Sequence, residues 1–260
     1  MEMDYINKAA EVVKRKEEDL RRKFLENGQE IKLWENTYIK HQIDKRESGG
    51  VFSLSDHIRG MVYSMLSAGV PWERMENDID IATGKITPVD KLFHQYDIDY
   101  LLKCNPNDLA NGLKGRFIKK QMDALIKINI IKLREFEKGY GSIEAYYQEF
   151  IEQDPTLKSL VKVLSDINSK DKMAQMDVAL VSEYLRNVGY DIAKPDMHLR
   201  TILGSTGLAC SEKAEVPPYD VIDIIADIAE YMGKKKAEID YILWSFKAKG
   251  YGDKCTKQHK

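Results

Sequence analysis

Long apolar runs are missing from this sequence, and so is a strong excess of either charge. Its 260 residues hold 40 Lys and Arg against 42 Asp and Glu, a net charge of -2. That balance gives no global attraction to a polyanion, so any nucleic-acid site would have to be a local patch. No apolar stretch approaches the roughly 20 residues a membrane span needs. The opening segment, MEMDYINKAAEVVKRKEEDLRRKF, is charged throughout and lacks a secretory signal, which points to the cytoplasm. Cysteine is scarce: Cys104, Cys210 and Cys255 are far apart and odd in number. Neither a disulfide framework nor a thiolate cluster fits them, and reduced, unligated thiols are expected. Also missing are a Walker-type loop, a GxGxxG after a strand, HExxH, GxSxG and CxxC. Nucleotide-cofactor and zinc-hydrolase readings lose their usual support, and no cofactor or metal is expected. The five His are scattered, and on predicted helices His57, His94 and His198 suit surface or packing roles better than metal ligation.

What is present reads as an ordinary globular chain, 43% hydrophobic and 32% charged, long enough for one large domain or two modest ones. Helical periodicity dominates. Ile6, Ala9, Ala10, Val13, Leu20 and Phe24 line one side of an amino-terminal helix. The run SLSDHIRGMVYSMLSAG has a capping residue followed by apolar positions on most of its surface, and Gly69 and Pro71 end it. TPVDKLFHQY, NPNDLANGL, RFIKKQMDALIKINIIKLREFEKGYG and SIEAYYQEFIEQ each start near a capping residue and carry the same period. MDVALVSEYLRNVG closes at Gly189, a carboxy-terminal cap. No region alternates as a strand does. The class is mainly α, with about ten helices, and Ser48-Gly49-Gly50 marks a soft boundary between an amino-terminal helical extension, 1–50, and the main body, 51–260.

One short stretch carries a chemical question. In NVGYDIAKPDMHLRTILG, Asp196 stands between a Pro and an amphipathic helix. Pro195 fixes its own φ and the first-turn amides lie close by, so the carboxylate is held in place. Spacing alone reads Asp196 as a helix cap. Arg200, one turn on, can orient that carboxylate or form a surface salt bridge.

The run LVSEYLRNVGYDIAKPDMHLRTILG resembles the segment of the helix-hairpin-helix DNA glycosylase superfamily that ends in its essential Asp, with the Gly, Asp, His and Arg of that block at Gly189, Asp196, His198 and Arg200. SDHIRGMVYSMLSAGVPW is similar to the family's opening core helix and base-facing loop, and GLKGRFIKKQMDALIKI to the segment before its hairpin. The likeness spans Phe52 to Tyr251. It implies a two-lobed helical bundle with a helix-hairpin-helix element, acting as a monomer on double-stranded DNA that carries a damaged or mispaired base. The setting implied is cytoplasmic, nucleoid-associated if bacterial. It further implies that Asp196 serves hydrolysis of the N-glycosidic bond and that Ser67, Gly69 and Trp72, with Tyr63 alongside, face the base. Gln175, Met176, Val178, His198 and Arg200 would lie along the hairpin and helix that meet DNA, and Lys114 and Lys119 would meet phosphates. Lys120 and Arg116, and separately Lys234, Lys235, Lys236, Lys247, Lys249 and Lys254, form further basic runs that suit either phosphates or solvent.

Departures from the family pattern matter as well. The family hairpin reads LPGVGxKTA, and here MAQMDVALV puts Gln175 and Asp177 where its two glycines stand. Backbone-cleaving members place a Lys about 17 to 19 residues before the Asp as a Schiff-base nucleophile; those positions hold Ala179, Val178 and Asp177. Base release without strand cleavage is implied, unless Lys170 or Lys172 takes that part. Cys255 stands alone where some members carry an iron–sulfur loop. A non-catalytic DNA-binding relative and an all-helical interaction protein stay open as other readings. Oxidised, alkylated, deaminated and mispaired bases all stay open as substrates.

Overall fold

The computed structural model describes residues 2–27, 32–69, 78–80, 83–115 and 117–248. Among them the chain is helical, with one isolated antiparallel bridge, Asp80 to Lys85, as its nearest approach to a strand. No helix of the described residues is long and apolar enough to cross a membrane. The chain divides into two compact units, His41–Tyr190 and the stretches on either side of it.

The His41–Tyr190 unit begins in α2 (Tyr38–Glu47) and continues with α3 (Leu54–Ser67), α4 (Thr87–Leu92), α5 (Ile98–Leu101) and α6 (Pro106–Asn111). Then α7 (Ile118–Ala124) runs through a π turn at Leu125–Asn129 into α8 (Ile130–Tyr140), followed by α9 (Ile143–Ile151), α10 (Lys158–Ser165) and α11 (Val178–Asn187). Helix α3 starts where its capping residue predicts: Ser53 and Asp56 bond reciprocally as a capping box. Ile58, Met61, Val62, Tyr63 and Met65 are fully buried along it. It crosses α11 closely because Gly60 has no side chain; a Cβ there would stand 3.0 Å from Val188 Cγ1. Asn187 Nδ2 donates to the Gly60 carbonyl at 2.9 Å and Ser64 Oγ to that of Leu180 at 2.5 Å, so the crossing is bonded as well as packed.

The stretch TPVDKLFHQY is not one helix. It stops at Leu92, and His94, Gln95 and Tyr96 follow with φ of 49°, 55° and 61°. A left-handed turn of ordinary residues costs roughly 1–2 kcal/mol each. Tertiary bonds hold it: the Tyr96 phenol donates to buried Asp90 at 2.7 Å, its ring stacks on Phe93, and Ser55 donates to its carbonyl. Tyr63 donates to the same Asp90 oxygen at 2.8 Å and accepts the Ile86 amide, so Tyr63 belongs to the core and presents no face to a flipped base.

A polar network ties α2, α3, α9 and α11 together. Arg46 donates to both Glu144 oxygens at 2.8 and 2.9 Å and to the Val188 carbonyl, while its guanidinium lies 3.7 Å from the Tyr190 ring centre. Fully buried His57 bridges Glu144 at 2.9 Å and the Tyr184 hydroxyl at 2.6 Å. Burial alone would raise the Glu144 carboxyl, but hydrogen bonds from His57 and Arg46 outweigh it and hold the group far below the usual carboxylate range. The sign follows: with the folded pKa below the unfolded one, the ionised carboxylate stabilises the fold above about pH 4.5 and loses that contribution as pH falls from there. Glu144→Gln is expected to cost about 1–3 kcal/mol at pH 7 and to flatten the acid limb of the stability curve, measured by urea unfolding from pH 7 to 3.

The other unit holds α1 (Glu2–Asn27), a 3-10 turn at Trp34–Asn36, α12 (Met197–Leu203), α13 (Pro218–Met232) and α14 (Lys236–Ala248). The apolar side of α1 enters its core: Ala9, Val13 and Leu20 bury with Val221, Ile225, Ile228, Ile239 and Leu243. Two ion pairs from Lys234, to Glu17 and Glu238, fasten α1 to the start of α14.

Candidate functional site

The hairpin is residues 166–177, between α10 and α11. It lacks glycine, yet Gln175 takes φ 58°, the left-handed region that glycine favours. Side chains from outside the loop supply what glycine would otherwise ease. Asn129, fully buried in the π turn, accepts the Ala174 amide at 2.7 Å and donates to its carbonyl at 3.0 Å. The Lys132 amine bonds the Lys170 carbonyl. Met173 and Met176 plug the loop from beneath, buried. The Asp177 carboxylate accepts the Leu180 amide at 2.9 Å, capping α11. Of the hairpin residues expected to meet DNA, Gln175 is exposed, Val178 is half-buried at the first turn of α11, and Met176 is in the core, so that only its backbone can contribute.

Lys172 is occupied. Its amine donates to the Ser165 carbonyl at 2.6 Å and the Met176 carbonyl at 2.9 Å, and burial lowers its pKa while Asp177 and Asp166 act the other way. Lys170 is exposed.

In the other unit, the linker before α12 is fixed by α14. Asp191 accepts the amides of Lys236 and Ala237 at 3.1 and 2.9 Å, capping α14. Asp240, buried on α14, accepts the Lys194 amide at 2.7 Å, and Ile192, Ala193 and Pro195 are buried between these bonds. The chain therefore delivers Asp196 from a rigid base. Asp196 is the N-cap of α12: Oδ1 accepts the Leu199 amide at 3.0 Å. Its second oxygen makes no hydrogen bond among the described residues, and the side chain is half-exposed. The cap uses one carboxylate oxygen.

Arg200 does not orient that carboxylate. It turns toward the following loop, donating to the Val216 carbonyl at 2.8 Å and pairing with Glu215 at 3.2 Å, the surface salt bridge of the two alternatives. His198 is half-buried and Met197, beside Asp196, is 64% exposed.

Ser67 ends α3 with its hydroxyl on the Ser64 carbonyl, and Gly69 is exposed just beyond. Trp72, Arg116, Lys249, Lys254 and Cys255 lie outside the described residues, as does the side chain of Lys247. Lys114, Lys119 and Lys120 are exposed at the start of α7. Among them stands Phe117, 49% exposed. Sequence reasoning passed over Phe117 as part of a helix; an aromatic inside a basic run was the available signal. Lys234 is engaged with Glu17 and Glu238, which weakens the second basic run. Among the described residues no three His, Cys, Asp or Glu gather where a metal could be held.

The helical fold described above has a likeness among solved structures. The structure of 8-oxoguanine DNA glycosylase from Methanocaldococcus jannaschii shares it, at a TM-score of 0.53 and 19% identity over 91% of this chain and 94% of that one. A structure of the 8-oxoguanine glycosylase/lyase of that organism, with 15mer DNA containing 8-oxoguanine, aligns at a TM-score of 0.47 and 19% identity over 81% of this chain and 87% of that one. No family model and no curated protein matches this chain.

Proposed function

We propose that this protein is a DNA N-glycosylase that hydrolyses the bond between deoxyribose and a damaged base, with Asp196 as its catalytic carboxylate and no β-lyase step. The observation that carries the proposal is the placement of Asp196: a half-exposed carboxylate at the N-cap of α12, delivered by a buried linker that Asp191 and Asp240 hold to α14. Cleavage of a glycosidic bond passes through an oxocarbenium-like sugar, and a fixed anion beside it lowers that barrier or steers a water to it. The base must leave the stack first, which costs a few kcal/mol and least for a damaged or mispaired base.

The remaining parts have compatible roles. The hairpin offers the first-turn amides of α11 to a backbone phosphate, with Gln175 at its exposed edge. Lys114, Lys119 and Phe117 form a second contact of charge and ring. Ser67, Gly69 and Trp72 are the residues assigned to the base, and His198 lies on α12 two residues after Asp196. Strand cleavage by a Schiff base needs an available amine; Lys172 is bound to two carbonyls, which leaves the exposed Lys170 as the hairpin amine that a lyase step would have to use. The solved neighbour suggests an oxidised purine, 8-oxoguanine first. A second reading, a DNA-binding relative without catalysis, is favoured by Asp177, whose negative charge at the start of α11 opposes a phosphate.

The test is base release from duplex oligonucleotides carrying single lesions, 8-oxoguanine among them, with products resolved before and after alkali. Release that needs alkali to break the strand is expected. Strand scission without alkali would remove the monofunctional assignment, and salt-dependent binding without release of any base would favour the second reading.

A further inference from the structure

Phe136 and Tyr140 of α8 meet Tyr146, Tyr147 and Phe150 of α9 in one cluster of rings. Tyr146 is at its centre, with ring centres 4.0 Å from Phe136, 4.8 Å from Tyr140, 5.3 Å from Phe150 and 5.8 Å from Tyr147. Apolar packing accounts for rings at these distances. It does not account for the polar end. Tyr146 is 3% exposed, yet its phenol donates at 2.6 Å to the carboxylate of Asp171 in the hairpin, the short distance of a charge-assisted bond. Burial pushes the phenol's pKa up, and the Asp171 carboxylate, Tyr140 and Tyr147 push it the same way. The proton is held unless an electron leaves with it: a phenol that loses an electron becomes a strong acid, and here a base already waits on the hydrogen bond.

The neighbouring tyrosines are placed differently. Tyr140 is 44% exposed and gives the cluster its contact with solvent. Tyr147 is fully buried and shares its hydrogen bond with the Tyr184 hydroxyl, so no carboxylate takes its proton directly. Tyr190 does bond a carboxylate, that of Glu144, but the Arg46 guanidinium 3.7 Å from its ring centre opposes the removal of an electron. An oxidising equivalent that enters at Tyr140 therefore comes to rest at Tyr146.

We propose that Tyr140 and Tyr146 form a two-step relay for one oxidising equivalent, in which Tyr140 meets a phenol-oxidising radical in solution and Tyr146 stores the equivalent as a buried tyrosyl radical with its proton on Asp171. In the first step the oxidant takes one electron from Tyr140, whose phenol proton goes to water. In the second, the Tyr140 radical takes one electron from Tyr146 and a proton from water, which restores its phenol, while the Tyr146 proton passes along the hydrogen bond to Asp171. The products are a reduced oxidant, an intact Tyr140, a neutral Tyr146 radical and a protonated Asp171. Neither step needs DNA or the reaction assigned to Asp196.

The full chain without DNA is oxidised by azide radicals from pulse radiolysis, tyrosyl absorbance is followed in time, and frozen samples are examined by electron paramagnetic resonance. Exposed tyrosyl radicals, such as those of Tyr100 and Tyr231, couple in pairs and vanish, so a population that outlives them is a buried one. Wild type is expected to show that population. Tyr146→Phe is expected to lose it with the early yield unchanged, and Asp171→Asn, which keeps the rings and removes the proton acceptor, to lose it as well. Tyr140→Phe leaves the Tyr146 bond in place and is expected to lose it for want of an entry. Because Tyr140 is half-exposed, that variant decides the question even where Tyr146→Phe fails to fold. A wild type with no long-lived radical, or one that persists in any of the three variants, overturns the proposal and leaves the cluster as core packing.

Discussion

Asp196→Asn is expected to lower base release by on the order of 10²–10³-fold or more while the protein stays as stable as wild type. The two halves of that result come from different oxygens. Asn caps a helix about as well as Asp, so the bond from the Leu199 amide survives and unfolding should shift by no more than about 0.5 kcal/mol. What disappears is the negative charge on the oxygen that makes no hydrogen bond. Asp191 and Asp240 hold the linker independently of Asp196, so the replacement amide stands where the carboxylate stood. Single-turnover release from the lesion duplex, with Tm on the same samples, decides between the roles. Undiminished release would make Asp196 a helix cap and nothing more. Loss of release together with a large fall in Tm would make it a structural residue, with activity lost through unfolding.

Gly189→Ala is expected to destabilise the fold strongly. Gly189 has φ 82°, where an L side chain costs roughly 1–2 kcal/mol, and its Cβ would stand 2.4 Å from the Gln42 carbonyl oxygen and 3.0 Å from Arg46 Cβ. Neither α2 backbone nor the Arg46 stem can give way cheaply, because Arg46 is held by Glu144 and Val188. A loss of roughly 3–5 kcal/mol is expected, seen as a Tm lower by about 6–15 °C. Gly139→Ala is the control: it lies inside α8, a Cβ there meets nothing within 4 Å, and the change should be neutral or stabilising. Equal Tm values for the two variants would contradict the close approach of α2 to Gly189.

Several helix starts and stops were legible in the sequence because they are local, whereas α4 and α7 begin at Ile86 and Phe117 without the side-chain cap expected of them. Ser53, Asn105, Ser142, Asp177 and Asp196 each cap the helix that their side-chain chemistry predicts, and Gly141 and Gly189 end theirs in the left-handed region. A hydroxyl or carboxylate within three residues of an orphan amide needs no distant partner to be read. The mainly α class and the apolar surface of α3 were legible for the same reason, as periodicity within one segment.

The working parts of the hairpin were not legible, because their partners are distant in the chain. Asn129 meets Ala174 and Lys132 meets Lys170 across about forty residues, and nothing in either segment announces the other. Lys172 looked like a possible nucleophile until its amine was seen between two carbonyls. The left-handed turn at His94–Tyr96 runs against local preference and exists only because Asp90, Phe93 and Ser55 bind it. Arg200 had Asp196 within reach by spacing and found Glu215 and Val216 instead, and α1 shares a core with helices more than two hundred residues away. By itself the sequence determined the helices, their caps and the position of Asp196 at the head of one of them. Only the tertiary structure decided what holds the hairpin closed and which partners Lys172, Lys234 and Arg200 take, since each depends on groups that the fold alone brings within 3 Å or so.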